Sequence, residues 1–215
     1  MEQLQFLTSA QVAAWLEQPD SEWMNNLVLG SVSLLEHLTN DVASPNDADF
    51  AANYGLCERF LARLDTAVRS GNTSVENLGN ILGILTTYFV EAGPNRFESK
   101  ASPKDQATAE LLKAYRTLRE QVVAVTDALF DLPIFDPIRD AVELEIKPLL
   151  QSCLEIFDGR DDRYMAFRVL LVNALSETIR ILELRVDKSK SPELGQLLDA
   201  MYRLKYIRFG TSGFR

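Results

Sequence analysis

The amino-acid sequence predicts an all-α protein, a single domain of about eight helices packed as an antiparallel bundle or an orthogonal helical array. Three observations favour this class. Apolar residues recur at intervals of three and four, capping and helix-breaking residues recur where those runs end, and no segment alternates like a strand. Hydrophobic residues make up 47% of the 215 residues and charged residues 25%, which is typical of a globular protein with a packed core.

The first two helices are bounded by recognisable start and stop residues. Thr8 and Gln11 have the spacing of a capping box, and Pro19 ends the short helix that follows. Asp20 or its neighbour Ser21 is then expected to cap a longer second helix.

The polar stretch 39–49 is expected to separate the second helix from a third, which covers about residues 48–70. Gly71 stands where a left-handed C-terminal cap belongs. Thr73 and Glu76 form a second capping box and begin a fourth helix. The apolar stripe of the third helix consists of Leu56, Phe60, Leu64 and Val68.

The fourth helix carries two glycines, Gly79 and Gly83, on one face, and Gly93 with Pro94 should end it. No Lys-Ser/Thr pair and no preceding strand accompany these glycines, so they do not form a phosphate loop. We expect them to let another helix approach closely.

The fifth helix is predicted to be the longest, from Ser102-Pro103 to Leu132-Pro133. Its apolar residues alternate steps of four and three, which predicts a coiled-coil-like seam against a neighbouring helix. The seam consists of Leu111, Tyr115, Leu118, Val122, Val125, Leu129 and Leu132.

Proline marks the last helices as well. Asp136-Pro137 begins the sixth, in which Pro148 should remove one backbone hydrogen bond and bend the axis. The seventh covers about residues 161–187. Ser191-Pro192 begins the eighth, which reaches about Tyr206.

The charge distribution is uneven. The formal net charge is −9, and the last fifteen residues contribute four cations and no acid, which leaves −13 on the first 200 residues. Nucleic acids are held mainly by clustered Lys and Arg, so the chain is not expected to bind them.

Two cysteines, Cys57 and Cys153, lie among apolar neighbours in helical patterns and are expected to be buried thiols without a redox role. With no secretory signal at the N-terminus, they favour a reducing, cytoplasmic location. The longest apolar runs, residues 81–90 and 169–175, are too short for a membrane-spanning helix of about 20 residues, so no membrane partner is expected.

The supply of catalytic residues is small. His37 is the only histidine, so paired-histidine metal sites cannot be assembled within one chain, and it is expected at the surface or as a partner of a helix C-terminus. Glu143 and Glu145 project from opposite sides of a helix and are interpreted as solvated charges.

Residues 158–163 form an acidic turn without EF-hand spacing, and a helix end followed by a cap explains them. No metal site is expected.

Two tryptophans, Trp15 and Trp23, lie near the N-terminus. Burial in the core is the default expectation, and an interaction surface is the alternative.

The C-terminus breaks the helical pattern with two glycines and two hydroxyl residues between aromatics. It reads Phe209-Gly210-Thr211-Ser212-Gly213-Phe214-Arg215. The stretch resembles the opening motif of the α-D-phosphohexomutases, the phosphoglucomutase and phosphomannomutase family, which reads Phe-Gly-Thr-Ser-Gly-x-Arg. Six specified positions match, and the preceding Tyr206-Ile207-Arg208 is similar to the apolar and basic lead-in of that family.

The resemblance implies that Thr211, Ser212, Gly213 and Arg215 belong to a phosphate-binding loop beside an active site. The family's phosphoserine loop, sugar-recognition loop and phosphate-binding domain are absent from this sequence. Residues 158–163 look like the family's Mg²⁺ loop but precede the opening motif, so that assignment is rejected. Residues 1–206 would then be a helical extension, and residues 207–215 the first piece of the enzyme.

Two functions follow as expectations. The first is a non-catalytic regulatory or oligomerisation module that precedes a phosphohexomutase; the whole protein would interconvert hexose 1-phosphate and 6-phosphate with Mg²⁺, although this chain itself would hold no cofactor. The second is a free-standing helical adaptor that binds a protein partner through an acidic body and a basic, aromatic tail. A third possibility is an enzyme whose site lies between helices and consists of carboxylates and arginines. No residue pair in the sequence has a spacing that requires such a site.

Overall fold

The computed structural model describes residues 6–43, 47–86, 106–155 and 174–209. Within these ranges the chain forms helices and turns and no strand, which confirms the all-α class. The helices are α1 (Ser9–Leu16), α2 (Asp20–Asn25), α3 (Leu27–Ala43), α4 (Asp47–Arg69), α5 (Val75–Ile84), α6 (Gln106–Phe130), α7 (Arg139–Ala141), α8 (Lys147–Glu155), α9 (Ala174–Arg185) and α10 (Pro192–Phe209). A 3₁₀ helix (Pro133–Ile138) precedes α7, and a π-helical segment (Val142–Ile146) separates α7 from α8.

The chain divides into two compact units. The first comprises residues 1–63 and 92–121, and the second comprises residues 64–91 and 122–215. The division falls inside α4 and α6, so each of these helices contributes its first part to the first unit and its last part to the second.

Helix α1 begins with the predicted capping box. The Thr8 hydroxyl accepts a hydrogen bond from the Gln11 backbone N–H at 3.3 Å, and Gln11 Oε1 accepts one from the Thr8 backbone N–H at 2.9 Å. The next start is different from the prediction, since Pro19 is the capping residue of α2 and supplies no side-chain hydrogen bond, while Asp20 is already the first helical residue.

The predicted second helix is two helices. The chain leaves helical geometry at Asn26, where α2 ends and α3 begins. The expected loop at 39–49 is also wrong over most of its length, because residues 39–43 continue α3 and residues 47–49 begin α4. Residues 39–43 contain neither Gly nor Pro, and polar side chains alone do not end a helix.

The core of the first unit is built on the two tryptophans, which are 3% and 1% exposed, so the expectation of burial is confirmed. The rings of Trp15 and Trp23 stack at 5.7 Å, and Trp15 Nε1 donates a hydrogen bond of 2.9 Å to the Trp23 carbonyl oxygen. Phe60 lies 5.7 Å from Trp15 and 6.3 Å from Trp23. Gly30 faces the Trp15 ring so closely that a Cβ there would lie 2.5 Å from it. Cys57, in the same unit, is fully buried, whereas the Cys153 side chain lies outside the described residues.

Arg63 of α4 joins the turn between α1 and α2 to this core. Its guanidinium donates to the carbonyl oxygens of Leu16 at 2.5 Å and Gln18 at 2.9 Å, and to Asp20 Oδ1 at 2.5 Å. The guanidinium carbon also lies 4.5 Å above the centre of the Trp23 ring. One side chain therefore donates hydrogen bonds to two carbonyls and a carboxylate and also makes a cation–π contact with an aromatic ring.

In the second unit, α5 and α10 pack closely through the two predicted glycines. A Cβ on Gly79 would collide with the Leu197 carbonyl oxygen and lie 2.8 Å from Ala200 Cβ, and one on Gly83 would collide with Leu204 Cδ2. Both glycines are buried, so the expected close helix approach is confirmed. Helix α10 begins at Pro192 as predicted but continues to Phe209, three residues beyond the predicted end at Tyr206.

The α6 seam is buried where its side chains are described, at Leu118, Val122, Val125 and Leu129. Leu132 is partly exposed and lies beyond the end of α6 at Phe130, and the side chains of Leu111 and Tyr115 lie outside the described residues, as does the predicted start at Ser102-Pro103.

The predicted sixth helix begins differently. Asp136 and Pro137 belong to the 3₁₀ helix, and α-helical geometry starts only at Arg139. The π-helical segment lies directly before Lys147 and Pro148, and the Lys147 N–H bonds to the Val142 carbonyl oxygen five residues back. A wider turn removes the need for the α-helical hydrogen bond that a proline cannot donate. The π-helical turn therefore lies directly before Pro148, where the sequence predicts a lost backbone hydrogen bond and a bend of the axis.

Candidate functional site

A cleft of about 500 Å³ lies within the second unit. It is formed by the end of α4, the beginning of α5, the 3₁₀ helix and the beginning of α10. Most of its walls are apolar: Val68, Val75, Leu78, Leu132, Pro133, Ile134, Pro137 and Leu194. A volume of this size and an apolar lining are common features of ligand and partner sites.

The first wall depends on a tight reversal between α4 and α5. Gly71 adopts φ +69°, the left-handed conformation in which glycine meets no steric cost, as predicted for this cap. Thr73 then donates its hydroxyl to the Ala67 carbonyl oxygen at 2.7 Å. The residue that caps α5 is Ser74, which accepts the Asn77 backbone N–H at 3.3 Å, so the predicted box of Thr73 and Glu76 is wrong by one residue.

The 3₁₀ helix forms the second wall and is held by a buried aromatic pair. Phe130 and Phe135 meet edge to face with ring centres 5.2 Å apart, and neither is exposed to solvent. The Arg139 guanidinium donates to the Phe130 carbonyl oxygen and, at 2.6 Å, to Asp136 Oδ1. These contacts fix the backbone that presents Ile134 to the cleft.

The third wall is the turn that leads into α10. Asp187 accepts the Ser189 hydroxyl at 2.6 Å and the Ser189 backbone N–H at 3.1 Å, and Lys190 Nζ lies 3.2 Å from its other oxygen. The hydrogen bond from the Ser189 hydroxyl, followed by that from Lys190, holds the pKa of Asp187 below its ordinary value. The Ser191 carbonyl oxygen accepts the Gly195 N–H at 3.2 Å, which closes the first turn of α10.

The polar groups at the cleft belong to Thr73, Lys190, Ser191 and Glu193. Thr73 and Lys190 already have the partners given above, and the described lining contains no histidine, cysteine or aspartate. The cleft therefore suits an apolar group of a ligand or partner.

His37 lies in the first unit, partly buried within α3. Its Nε2 is 2.7 Å from the Leu7 carbonyl oxygen, and the Leu7 backbone N–H donates to the Ser33 hydroxyl at 2.9 Å. The ring thus fastens the residues before α1 to α3, instead of facing a helix terminus.

Two other groups of titratable residues are structural. Tyr54 has its phenol pKa raised by burial and then by the charge of Glu58, which keeps the hydroxyl protonated. Glu143 pairs with Lys147 at 2.8 Å and Glu145 with Arg185 at 2.6 Å, which confirms that they do not converge. In the described ranges, no three His, Cys, Asp or Glu side chains are grouped so that they could hold a metal ion.

The residues that the sequence assigned to phosphate binding, Thr211, Ser212, Gly213 and Arg215, lie outside the described residues. The acidic turn at 158–163 does as well. Only Phe209, the first residue of the motif, has a described backbone, and it is the last residue of α10.

The cleft itself was not expected from the sequence. The sequence predicts only helix starts or ends at three dipeptides, Leu132-Pro133, Asp136-Pro137 and Ser191-Pro192. The first two lie far from the third in the chain. The available signal was that Leu132 and Ile134 flank Pro133 and that Ile138 follows Pro137, which does not show that these segments meet the start of α10.

Among the described residues, none of the helices is both long enough and apolar enough to cross a membrane. No family model matches the sequence, and no curated protein and no solved structure is significantly similar to it.

Proposed function

We propose that this chain is a non-catalytic helical module, regulatory or oligomeric in role, that precedes a phosphohexomutase. The observation that carries the proposal is the C-terminal motif, residues 209–215, in which six specified positions match the opening motif of that family. The whole protein would interconvert hexose 1-phosphate and hexose 6-phosphate, with Mg²⁺ held by parts of the enzyme outside this chain.

The geometry of α10 supports this proposal. Phe209 is both the last residue of the helix and the first residue of the motif, so no linker separates the two. Gly79 and Gly83 seat α10 against α5, and Arg203 of α10 pairs with Glu76 of α5 at 2.7 Å. A helix packed in this way would give the motif a fixed starting point on the second unit.

The size of the endogenous protein tests the proposal first. A tag placed at the N-terminus of the chromosomal gene allows the native product to be purified and its intact mass measured. We expect a mass well above 24.2 kDa, the mass of this chain. A native product of 24.2 kDa would overturn the proposal.

The same purified protein provides the activity test. With Mg²⁺ and a hexose 1-phosphate it should form the 6-phosphate, and Arg215→Ala should lower kcat/KM by roughly tenfold or more because a guanidinium that holds phosphate is lost. Arg208→Ala is the matched control, an arginine before the motif, and should retain activity. Equal activity of both variants would remove Arg215 from the phosphate-binding role.

The second candidate is a free-standing adaptor, and the apolar cleft at the start of α10 favours it. Removal of residues 206–215 should then abolish capture of a purified partner, since the basic tail is the proposed contact. Ile134→Lys places a charge in the apolar cleft and so tests whether the cleft takes part in capture. Leu144→Lys is the control, at a position that is 76% exposed and lies outside the cleft. If capture survives loss of the tail, this mechanism fails.

A further inference from the structure

We draw no further inference here: the strongest candidate beyond the cleft already described, the surface patch of the second unit formed by the exposed side chains of Leu144 and Leu184 beside the Arg185–Glu145 ion pair, carries none because nothing in the structure shows what covers it.

Discussion

Three helical glycines differ in what an added methyl group would meet, and their alanine variants should differ in stability accordingly. At Gly79 the obstacle is the Leu197 backbone, which can yield only if α5 and α10 separate. We expect Gly79→Ala to lower the free energy of unfolding by about 1–3 kcal/mol, despite the better helix propensity of alanine. Gly83→Ala should cost less, because the obstacle is the end of the Leu204 side chain.

Gly55 in α4 is the matched control for this series, since nothing lies within 4 Å of a Cβ there. Gly55→Ala should raise the free energy of unfolding by about 0.5–1 kcal/mol, because alanine loses less backbone entropy on folding. Urea unfolding of the three variants tests the order. If Gly79→Ala is as stable as Gly55→Ala, the α5–α10 contact is not as close as described.

Arg63 and Arg59 lie one turn apart on α4 and make very different contacts. The Arg63 side chain is 22% exposed and donates to two carbonyls and Asp20, whereas Arg59 and its partner Glu17 are 46% and 74% exposed. Arg63→Lys keeps the charge but loses the planar fork, and should cost about 1–3 kcal/mol of unfolding free energy.

The corresponding change Arg59→Lys should cost less than about 1 kcal/mol, since exposed ion pairs contribute little. Chemical denaturation monitored by tryptophan fluorescence is suited to both variants, because Trp23 lies directly under Arg63. Equal losses in the two variants would contradict the role given to Arg63.

The lowered pKa of Asp187 has a definite sign for stability. A carboxyl whose folded pKa lies below its unfolded value, about 3.9 for Asp, stabilises the fold above that value and loses the contribution as pH falls through the folded pKa. Ser189→Ala should raise the pKa of Asp187, because the shortest hydrogen bond to its carboxylate disappears. Carboxyl NMR titration measures this shift. Ser70→Ala, which removes a hydroxyl from a different turn, should leave the titration of Asp187 unchanged.

At the scale of elements, the beginning of α5 has two candidate capping residues, Thr73 from the sequence pattern and Ser74 from the structure. The structure assigns the cap to Ser74, so Ser74→Ala should lower the free energy of unfolding by about 1 kcal/mol. Ser74→Asp should retain it, since a carboxylate accepts the same N–H and is favoured near a helix N-terminus. Thermal unfolding of both variants gives the comparison. A loss from Ser74→Asp as large as that from Ser74→Ala would argue against a capping role.

The helices themselves could be predicted because local chemistry largely determines them. The Thr8 capping box, the Gly71 cap and the start of α10 at Pro192 each depend on residues within a few positions, and each was confirmed. The break at Asn26 was missed, since no Gly or Pro marks it. Trp23, which lies before the break, stacks on Trp15, a tertiary contact that local patterns do not show.

The cleft was harder to predict from the sequence than the helices. It depends on the meeting of Gly71, Ile134 and Leu194, three residues that belong to different helix ends. Local patterns give the ends of helices but not which ends are neighbours, and that choice follows from long-range packing such as the close approach of Gly79 to Leu197. The motif at 209–215 is the reverse case, because it can be recognised in the sequence while residues 210–215 lie outside the described residues.

At the scale of the whole molecule, net charge and ion pairs act in opposite directions on stability. The formal charge of −9 produces self-repulsion, while the ion pairs of the described residues lie at the surface, with at least one partner half exposed or nearly so in each. Exposed pairs contribute about 0–1 kcal/mol each and are screened by the same salt that weakens the repulsion.

We therefore expect added salt to stabilise the chain modestly. Raising NaCl from about 0.05 M to about 0.5 M shortens the Debye length to a few ångströms, which relieves repulsion across the acidic body while removing little from pairs already surrounded by water. The melting temperature at pH 7 should rise. At about pH 5, closer to the sequence pI of 4.7, the net charge is smaller and the same addition of salt should have a weaker effect. A melting temperature that falls with salt at pH 7 would mean that the surface ion pairs outweigh the repulsion, against the expectation from their exposure.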